Sequence, residues 1–180
     1  MYDIEELEKQ IRNVPGFPVE GVVFKDITTL LSNPGSLGDT VAHLLKACED
    51  FDYDSIAAIE SRGFIFGAVM AVEKNVPLAL VRKPGKLPAE TVSREYTLEY
   101  GTATVELHRD ALPSGSRVLI VDDLIATGGS ATAASRLVRE IGCTVAGAAF
   151  VMDLTFLGGG DRLRKEGFDY VALMRVDSEG

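Results

Sequence analysis

The chain has no tryptophan, only two cysteines and two histidines, and fewer basic than acidic residues: 18 Lys and Arg against 27 Asp and Glu, a formal charge of −9. Each shortage excludes something. Cys48 and Cys143 make no Cys-x-x-Cys pair and join no metal-ligand cluster, so both read as reduced, small core residues rather than nucleophiles. His43 falls in a helical stretch and His108 in a turn after a strand, and neither has a partner in the sequence that makes it a catalytic base. The acidic balance argues against nucleic acid as a partner, because such a footprint needs clustered positive charge. Long apolar runs are missing too. Phe64–Val72 and Val145–Met152 are far short of the ~20 residues that cross a bilayer, so no membrane partner is expected. The opening MYDIEELEKQ is acidic and lacks the basic and apolar regions of a secretory signal, which points to a cytoplasmic protein.

What is present fits one domain. A length of 180 residues with 46% hydrophobic side chains supports a single core, and no linker or repeat divides it. Ile4, Leu7 and Ile11 lie on one face of a short helix that Asp3 caps, and Pro15, Gly16, Pro18 and Gly21 then impose an irregular segment. Asn33-Pro34 marks a helix start, with Leu37, Val41, Leu44 and Leu45 as its buried stripe. Ser55 to Ile59, Phe64 to Lys74 and Pro77 to Val81 read as strand, helix and strand, a βαβ unit. Residues 83–95, with two prolines and no apolar period, read as a mobile loop; Tyr96 to Leu98 and Thr102 to Leu107 read as the two strands of a lid hairpin. Beyond them come the strand Val118 to Val121, a helix with Ala134, Leu137, Val138 and Ile141 on one face, and strands at Thr144 to Met152 and Asp169 to Met174. The expected fold class is α/β: a mainly parallel twisted sheet flanked by helices, with a small hood over about residues 1–32 and a flexible lid over about residues 83–105.

The segment Arg117 to Ala131, RVLIVDDLIATGGSA, concentrates the chemistry. A buried parallel strand leads into two acids and then a Thr-Gly-Gly-Ser turn that opens a helix. In an open α/β sheet the carboxyl edge is where ligands bind. Gly128 and Gly129 let backbone approach an anion, and Thr127, Ser130 and the free N–H groups of the helix start can donate to a phosphate. Carboxylates repel phosphate, so Asp122 and Asp123 need another partner: the 2′- and 3′-hydroxyls of a ribose, or Mg²⁺ through its waters. A plain strand-to-helix turn with Ser130 as N-cap is the competing reading.

The segment VLIVDDLIATGGSA resembles the phosphoribosyl pyrophosphate motif of type I phosphoribosyltransferases. GFPVEGVVFKDIT, ESRGFIFG, and RKPGKLP with YTLEYGTATVE, in that order and over most of the chain, narrow the resemblance to the adenine phosphoribosyltransferase family. That resemblance implies transfer of 5-phosphoribosyl from phosphoribosyl pyrophosphate to adenine, giving AMP and pyrophosphate, in a homodimer. It also implies Mg²⁺ held mainly by the substrate, with no direct protein ligand. It places the sugar phosphate against Asp122, Asp123, Leu124, Ile125, Ala126, Thr127, Gly128, Gly129 and Ser130.

Arg62, in a turn after a buried strand, reads either as a rim residue or as a bidentate anion ligand, and the resemblance assigns it to pyrophosphate. Arg82, Lys83 and Lys86 belong to a local island of four bases against two acids between residues 82 and 95. By itself that is a solvated charge run; the resemblance makes it a catalytic lid, and its spacing is not that of a Walker A loop. Glu99 has the place of a surface carboxylate, and the resemblance makes it the group that exchanges a proton with the purine, with Tyr100 supporting the closed lid. Val23, Phe24 and Lys25 read as hood core or as a purine-reading edge. The resemblance places adenine between them and Leu154. Pro84 and Pro88 depart from the family pattern in the lid. The alternatives are a transferase for xanthine or hypoxanthine and a silent phosphoribosyl pyrophosphate-binding regulator.

Overall fold

Strands buried on both faces lose the alternation of polar and apolar residues and read as continuous apolar runs, and five such runs assemble into one sheet. A computed structural model describes residues 1–97 and 101–178. Its sheet contains β3 (Ser55–Ile59), β4 (Leu78–Val81), β7 (Arg117–Ile125), β8 (Thr144–Leu154) and β9 (Tyr170–Val176), in the order β4-β3-β7-β8-β9 with every neighbouring pair parallel. Successive side chains point to opposite faces. Ile56, Leu119, Val121, Ala149 and Val151 therefore join one apolar cluster, while Ala57, Ile59, Val118, Ile120 and Phe150 join another.

The first cluster is closed by α1 (Ile4–Glu8), α2 (Thr28–Leu31), α3 (Ser36–Ala47) and α4 (Gly63–Lys74), through Leu7, Leu30, Leu44, Phe66 and Met70. The second is closed by α5 (Gly129–Glu140), α6 (Gly159–Lys165) and the antiparallel hairpin of β5 (Thr91–Thr97) with β6 (Thr102–His108). A second hairpin, β1 (Arg12–Pro15) with β2 (Val23–Asp26), forms the hood. From β3 the chain crosses through α4 to β4 on one side, and from β7 through α5 to β8 on the other. The crevice between β3 and β7 is therefore the switch point of the sheet, where such folds bind ligands.

The structure departs from the sequence-based expectations in several places; α1 ends at Glu8, so Ile11 lies beyond the expected helix although it still joins the core. The loop expected over 83–95 ends earlier, since Thr91 onward is strand; Val92, Val105 and Leu107 are buried, so the hairpin is anchored to the core. The strand expected at Val118 to Val121 runs on to Ile125 and includes both acids, because β8 pairs with it as far as Ile125. The helix expected from Asn33-Pro34 begins at Ser36, after Gly35 turns the chain at φ 91°. The irregular segment around Gly16 is the tip of a paired hairpin. Among the described residues, no helix is long and apolar enough to cross a membrane.

Candidate active site

Asp122 and Asp123 stand where β7 outruns its neighbour. The β3–β7 ladder ends at Ala58 and Val121, so the next residues of β7 face the crevice instead of a partner strand. Both acids are buried, and the Asp123 N–H donates to Asp122 Oδ1 at 2.8 Å. Burial pushes the Asp122 carboxyl well above the usual carboxylate range, and the Asp123 charge pushes it further. Asp123 is also raised by burial, with Arg62 pulling it back. The close approach depends on Gly63, where a Cβ would lie 2.7 Å from the Val121 carbonyl oxygen and 2.9 Å from Asp122 Oδ1.

The turn after β7 has the geometry of an anion cradle. Gly128 has φ 74°, a left-handed conformation that favours glycine, and no side chain caps α5. The N–H groups of the first turn of α5 are thus left for an anion, at the positive end of a 12-residue helix. The competing assignment of Ser130 as N-cap is not what forms. Two remote segments press on this turn. A Cβ on Gly128 would stand 2.9 Å from the Gly159 carbonyl oxygen, and one on Gly129 would stand 2.9 Å from the Tyr96 ring.

A cleft of about 250 Å³ joins these parts, lined by Asp122, Asp123, Leu124, Ala126 and Thr127 to Ser130, together with Glu60, Ser61, Arg62 and Lys83. Arg62 Nε lies 2.9 Å from Asp123 Oδ2, an ion pair without the alignment of a hydrogen bond, so that buried oxygen keeps an open acceptor site. The Glu60–Ser61 peptide is cis. Glu60 Oε2 accepts from the Lys83 N–H at 2.9 Å and from Arg82 Nε at 3.2 Å, and these contacts hold its carboxyl below the usual range, the Lys83 bond foremost.

Several expected residues lie elsewhere. Ile125 packs into the core at 2% exposure. Arg82 turns to Glu60 and to the Lys86 carbonyl, and neither Arg82 nor Lys86 lines the cleft. Glu99 and Tyr100 lie outside the described residues. Glu60, Tyr96 and Val105 line the cleft without having been singled out as site residues. Glu60 was within reach of sequence reasoning, since it ends the same strand that delivers Arg62. Tyr96 and Val105 arrive only when the hairpin folds back onto α5.

A second pocket lies between hood and sheet, where Val22, Val23 and Lys25 meet Leu154, Phe156 and Leu157. Phe24, expected with Val23 and Lys25, is on the other face of β2, as alternation along a strand requires. Its ring meets Phe17 edge-on at 5.1 Å and lies 5.1 Å beneath the Arg62 guanidinium.

Among the described residues no group of three or more His, Cys, Asp or Glu could cage a metal ion. Paired carboxylates beside an anion cradle do fit Mg²⁺, which keeps several waters and binds through one or two carboxylates plus substrate phosphates. The open acceptor on Asp123 suits one of those waters.

An uncapped helix start, paired acids and an arginine at the switch point of a parallel sheet define a sugar-phosphate-binding α/β protein. Comparison gives the class: the phosphoribosyl transferase domain family matches residues 28–177. An adenine phosphoribosyltransferase of Trichodesmium erythraeum is 51% identical over 160 residues, covering 89% of this chain and 94% of the relative. The crystal structure of the adenine phosphoribosyltransferase from Thermoanaerobacter pseudethanolicus superposes with a TM-score of 0.91 at 47% identity, over 96% of this chain and 99% of that one. The Trypanosoma brucei enzyme in complex with AMP, pyrophosphate and ribose-5-phosphate superposes at 0.85 and 28% identity, over 98% of this chain and 82% of that one. The chain belongs to the adenine phosphoribosyltransferase family.

Proposed function

We propose that this protein transfers the 5-phosphoribosyl group of phosphoribosyl pyrophosphate to adenine, releasing AMP and pyrophosphate, as a cytoplasmic purine salvage enzyme. The observation that supports it most is the juxtaposition of an acid pair and an uncapped helix start in one cleft, with an apolar, hood-covered pocket lined by Val23 and Leu154 as the base site.

In this reading the turn from Ala126 to Ser130 holds the 5-phosphate, Asp122 and Asp123 accept from the ribose hydroxyls, and Arg62 and Lys83 face the diphosphate. Leu154 and Val23 enclose the adenine ring, and main-chain groups of Val23 and Lys25 read its edge. A six-oxo purine presents the opposite donor and acceptor there, and leaving buried polar groups unmatched is what gives discrimination. The bond from the adenine nitrogen to the anomeric carbon forms as the bond to the diphosphate oxygen breaks, and Glu99 takes the ring proton. Asp122 and Asp123 would hold the waters of a Mg²⁺ ion brought in with the substrate, and that ion would supply charge neutralisation at the leaving group. Fixed donors aimed at the diphosphate stabilise the charge that develops on it. Lys86 reaches the diphosphate only if the segment 83–90 moves, the role of a closing lid.

The working unit is a homodimer. Val72 on α4 is 78% exposed and neighbours a groove lined by Ala68, Ala71 and Pro77, on the helix that Arg62 begins.

Steady-state rates with phosphoribosyl pyrophosphate, Mg²⁺ and each of adenine, hypoxanthine, guanine and xanthine test the proposal. Turnover with adenine alone is expected. Preferred use of a six-oxo purine overturns the base assignment, and binding of phosphoribosyl pyrophosphate without turnover of any base marks a regulator instead.

A further inference from the structure

The connector from Leu154 to Gly159, which runs from the base pocket to the anion cradle, is gripped at both ends by one side chain that lines neither pocket. Tyr170 opens β9, and its hydroxyl donates at 2.7 Å to Oδ2 of Asp153, the residue just before Leu154. Its ring lies against Gly160, just past the other end: a Cβ there would meet Tyr170 Oη and stand 2.6 Å from Cζ. Gly160 follows Gly159, whose backbone presses on Gly128 in the phosphate turn. The ring is itself fixed. Phe150 packs edge-on to it with centroids 6.1 Å apart, and the Arg164 guanidinium carbon lies 5.3 Å from its centroid. Asp153 is 2% exposed and its Oδ1 has no hydrogen-bond partner, so among the described residues the Tyr170 hydroxyl is the one donor to this buried carboxylate. Removing the partner of a buried charged group costs more than the bond itself is worth, so the pair holds its geometry firmly. Burial and the Asp153 bond raise the Tyr170 hydroxyl above its ordinary pKa, and it stays a donor.

We propose that Tyr170 is a positioning residue for the phosphate turn, its hydroxyl on Asp153 and its ring on Gly160 fixing where the connector sets Gly159 against Gly128. A side chain on the edge strand of the sheet thus decides where the N–H groups of the cradle point, and small displacements of such groups are costly. Arg62 and Lys83 follow β3 and β4 and do not depend on the connector. The effect is therefore confined to one half of the cleft. The inference rests on the phosphoribosyltransferase reading and adds to it a residue outside the cleft that sets affinity for the sugar phosphate rather than for the diphosphate.

The test is titration calorimetry on the full chain with Mg²⁺ and no base present, using ribose 5-phosphate and, separately, pyrophosphate. Tyr170→Phe keeps the ring on Gly160 but removes the bond to Asp153, and ribose 5-phosphate is expected to bind it about fivefold or more weakly, the order of one hydrogen bond's net contribution. Pyrophosphate affinity should stay within about twofold of the parent, since its ligands lie off the connector. Asp153→Asn keeps an oxygen for the Tyr170 hydroxyl and should bind both ligands within about twofold of the parent. Where Tyr170→Phe fails to fold, Tyr170→Phe combined with Asp153→Asn removes the buried charge along with the bond, and the same fivefold loss is expected. Parent-like affinity for ribose 5-phosphate in a variant that merely melts lower overturns the proposal, and so does an equal loss for both ligands, which marks a general structural role. A parent protein that binds neither ligand defeats the phosphoribosyltransferase reading itself and this inference with it, an outcome distinct from the other two.

Discussion

At the residue scale the acid pair carries a conflict between stability and binding. Asp122 titrates above the ordinary carboxylate value of 3.8, first because it is buried and then because Asp123 faces it. A folded-state pKa above the unfolded one means that the folded chain holds the proton more tightly. Stability is therefore lost as pH rises from near 3.8 through the raised value. At neutral pH the ligand-free protein bears that cost. Asp122→Asn should accordingly melt higher than the parent at pH 7, with the difference shrinking toward pH 4, while phosphoribosyl pyrophosphate binds about tenfold or more weakly. Scanning and titration calorimetry read the two effects separately, and a variant that binds normally contradicts the assignment. Glu99→Gln keeps size but removes the base. Single-turnover AMP formation should fall about 10²-fold or more with phosphoribosyl pyrophosphate affinity little changed. A parent-like single-turnover rate leaves Glu99 a mere lid contact.

At the scale of elements, the phosphate turn depends on the start of α6. Gly159 presses its backbone on the loop so closely that an added Cβ would lie 2.7 Å from Ile125 Cγ1 and 2.9 Å from the Gly128 nitrogen. The chain from Leu154 to Gly159 thus connects the base pocket to the anion cradle. Gly159→Ala must displace one or the other, an overpacking that costs about 1–3 kcal/mol. The KM for phosphoribosyl pyrophosphate should rise about tenfold, and more than that for adenine, because the backbone N–H groups of the cradle move away from the 5-phosphate. Equal changes in both constants would indicate general loosening. The hairpin of β5 and β6 is a firm element by comparison. Val92 and Leu107 fasten it to the core, and Arg94 pairs with Glu140 of α5 at 2.5 Å. Under the proposed function, the closing lid is therefore segment 83–90 and not the described part of this hairpin.

For the whole molecule, the winding of the sheet in two directions from the β3–β7 crevice brings residues 60–63, 83 and 122–130 to one place. The same arrangement leaves α4 starting just after Arg62, its N-cap, and ending on an apolar outer surface. Association of two chains through α4 would place two clefts beside one interface. Val72→Glu sets a charge on a side chain that is 78% exposed, which a monomer tolerates within about 0.5 kcal/mol. In sedimentation velocity the parent is expected as a dimer and the variant as a monomer of normal melting temperature, with reduced turnover. A parent that sediments as a monomer removes the dimer from the proposal.

Much of the frame was legible before folding. Uninterrupted apolar runs at Ser55 to Ile59 and Val118 to Val121 specify a doubly covered parallel sheet, and an acid pair followed by Thr-Gly-Gly-Ser specifies an anion-binding helix start. Both signals are local: periodicity, glycine freedom and free N–H groups act within a few residues of chain. Other features follow only from packing between distant segments. Alternation along β2 turns Phe24 toward Arg62 once the hood pairs in register. The Glu60 carboxylate draws Arg82 away from the cleft. Val92 and Leu107 fasten a hairpin that charge and proline alone mark as loop, and Gly159 meets Gly128 backbone to backbone. The amino-acid sequence by itself determined a mainly parallel sheet flanked by helices and a glycine-opened helix start after the acid pair; the tertiary structure decided the strand order and which side chains share the cleft, because these depend on contacts that exist only when remote elements pack.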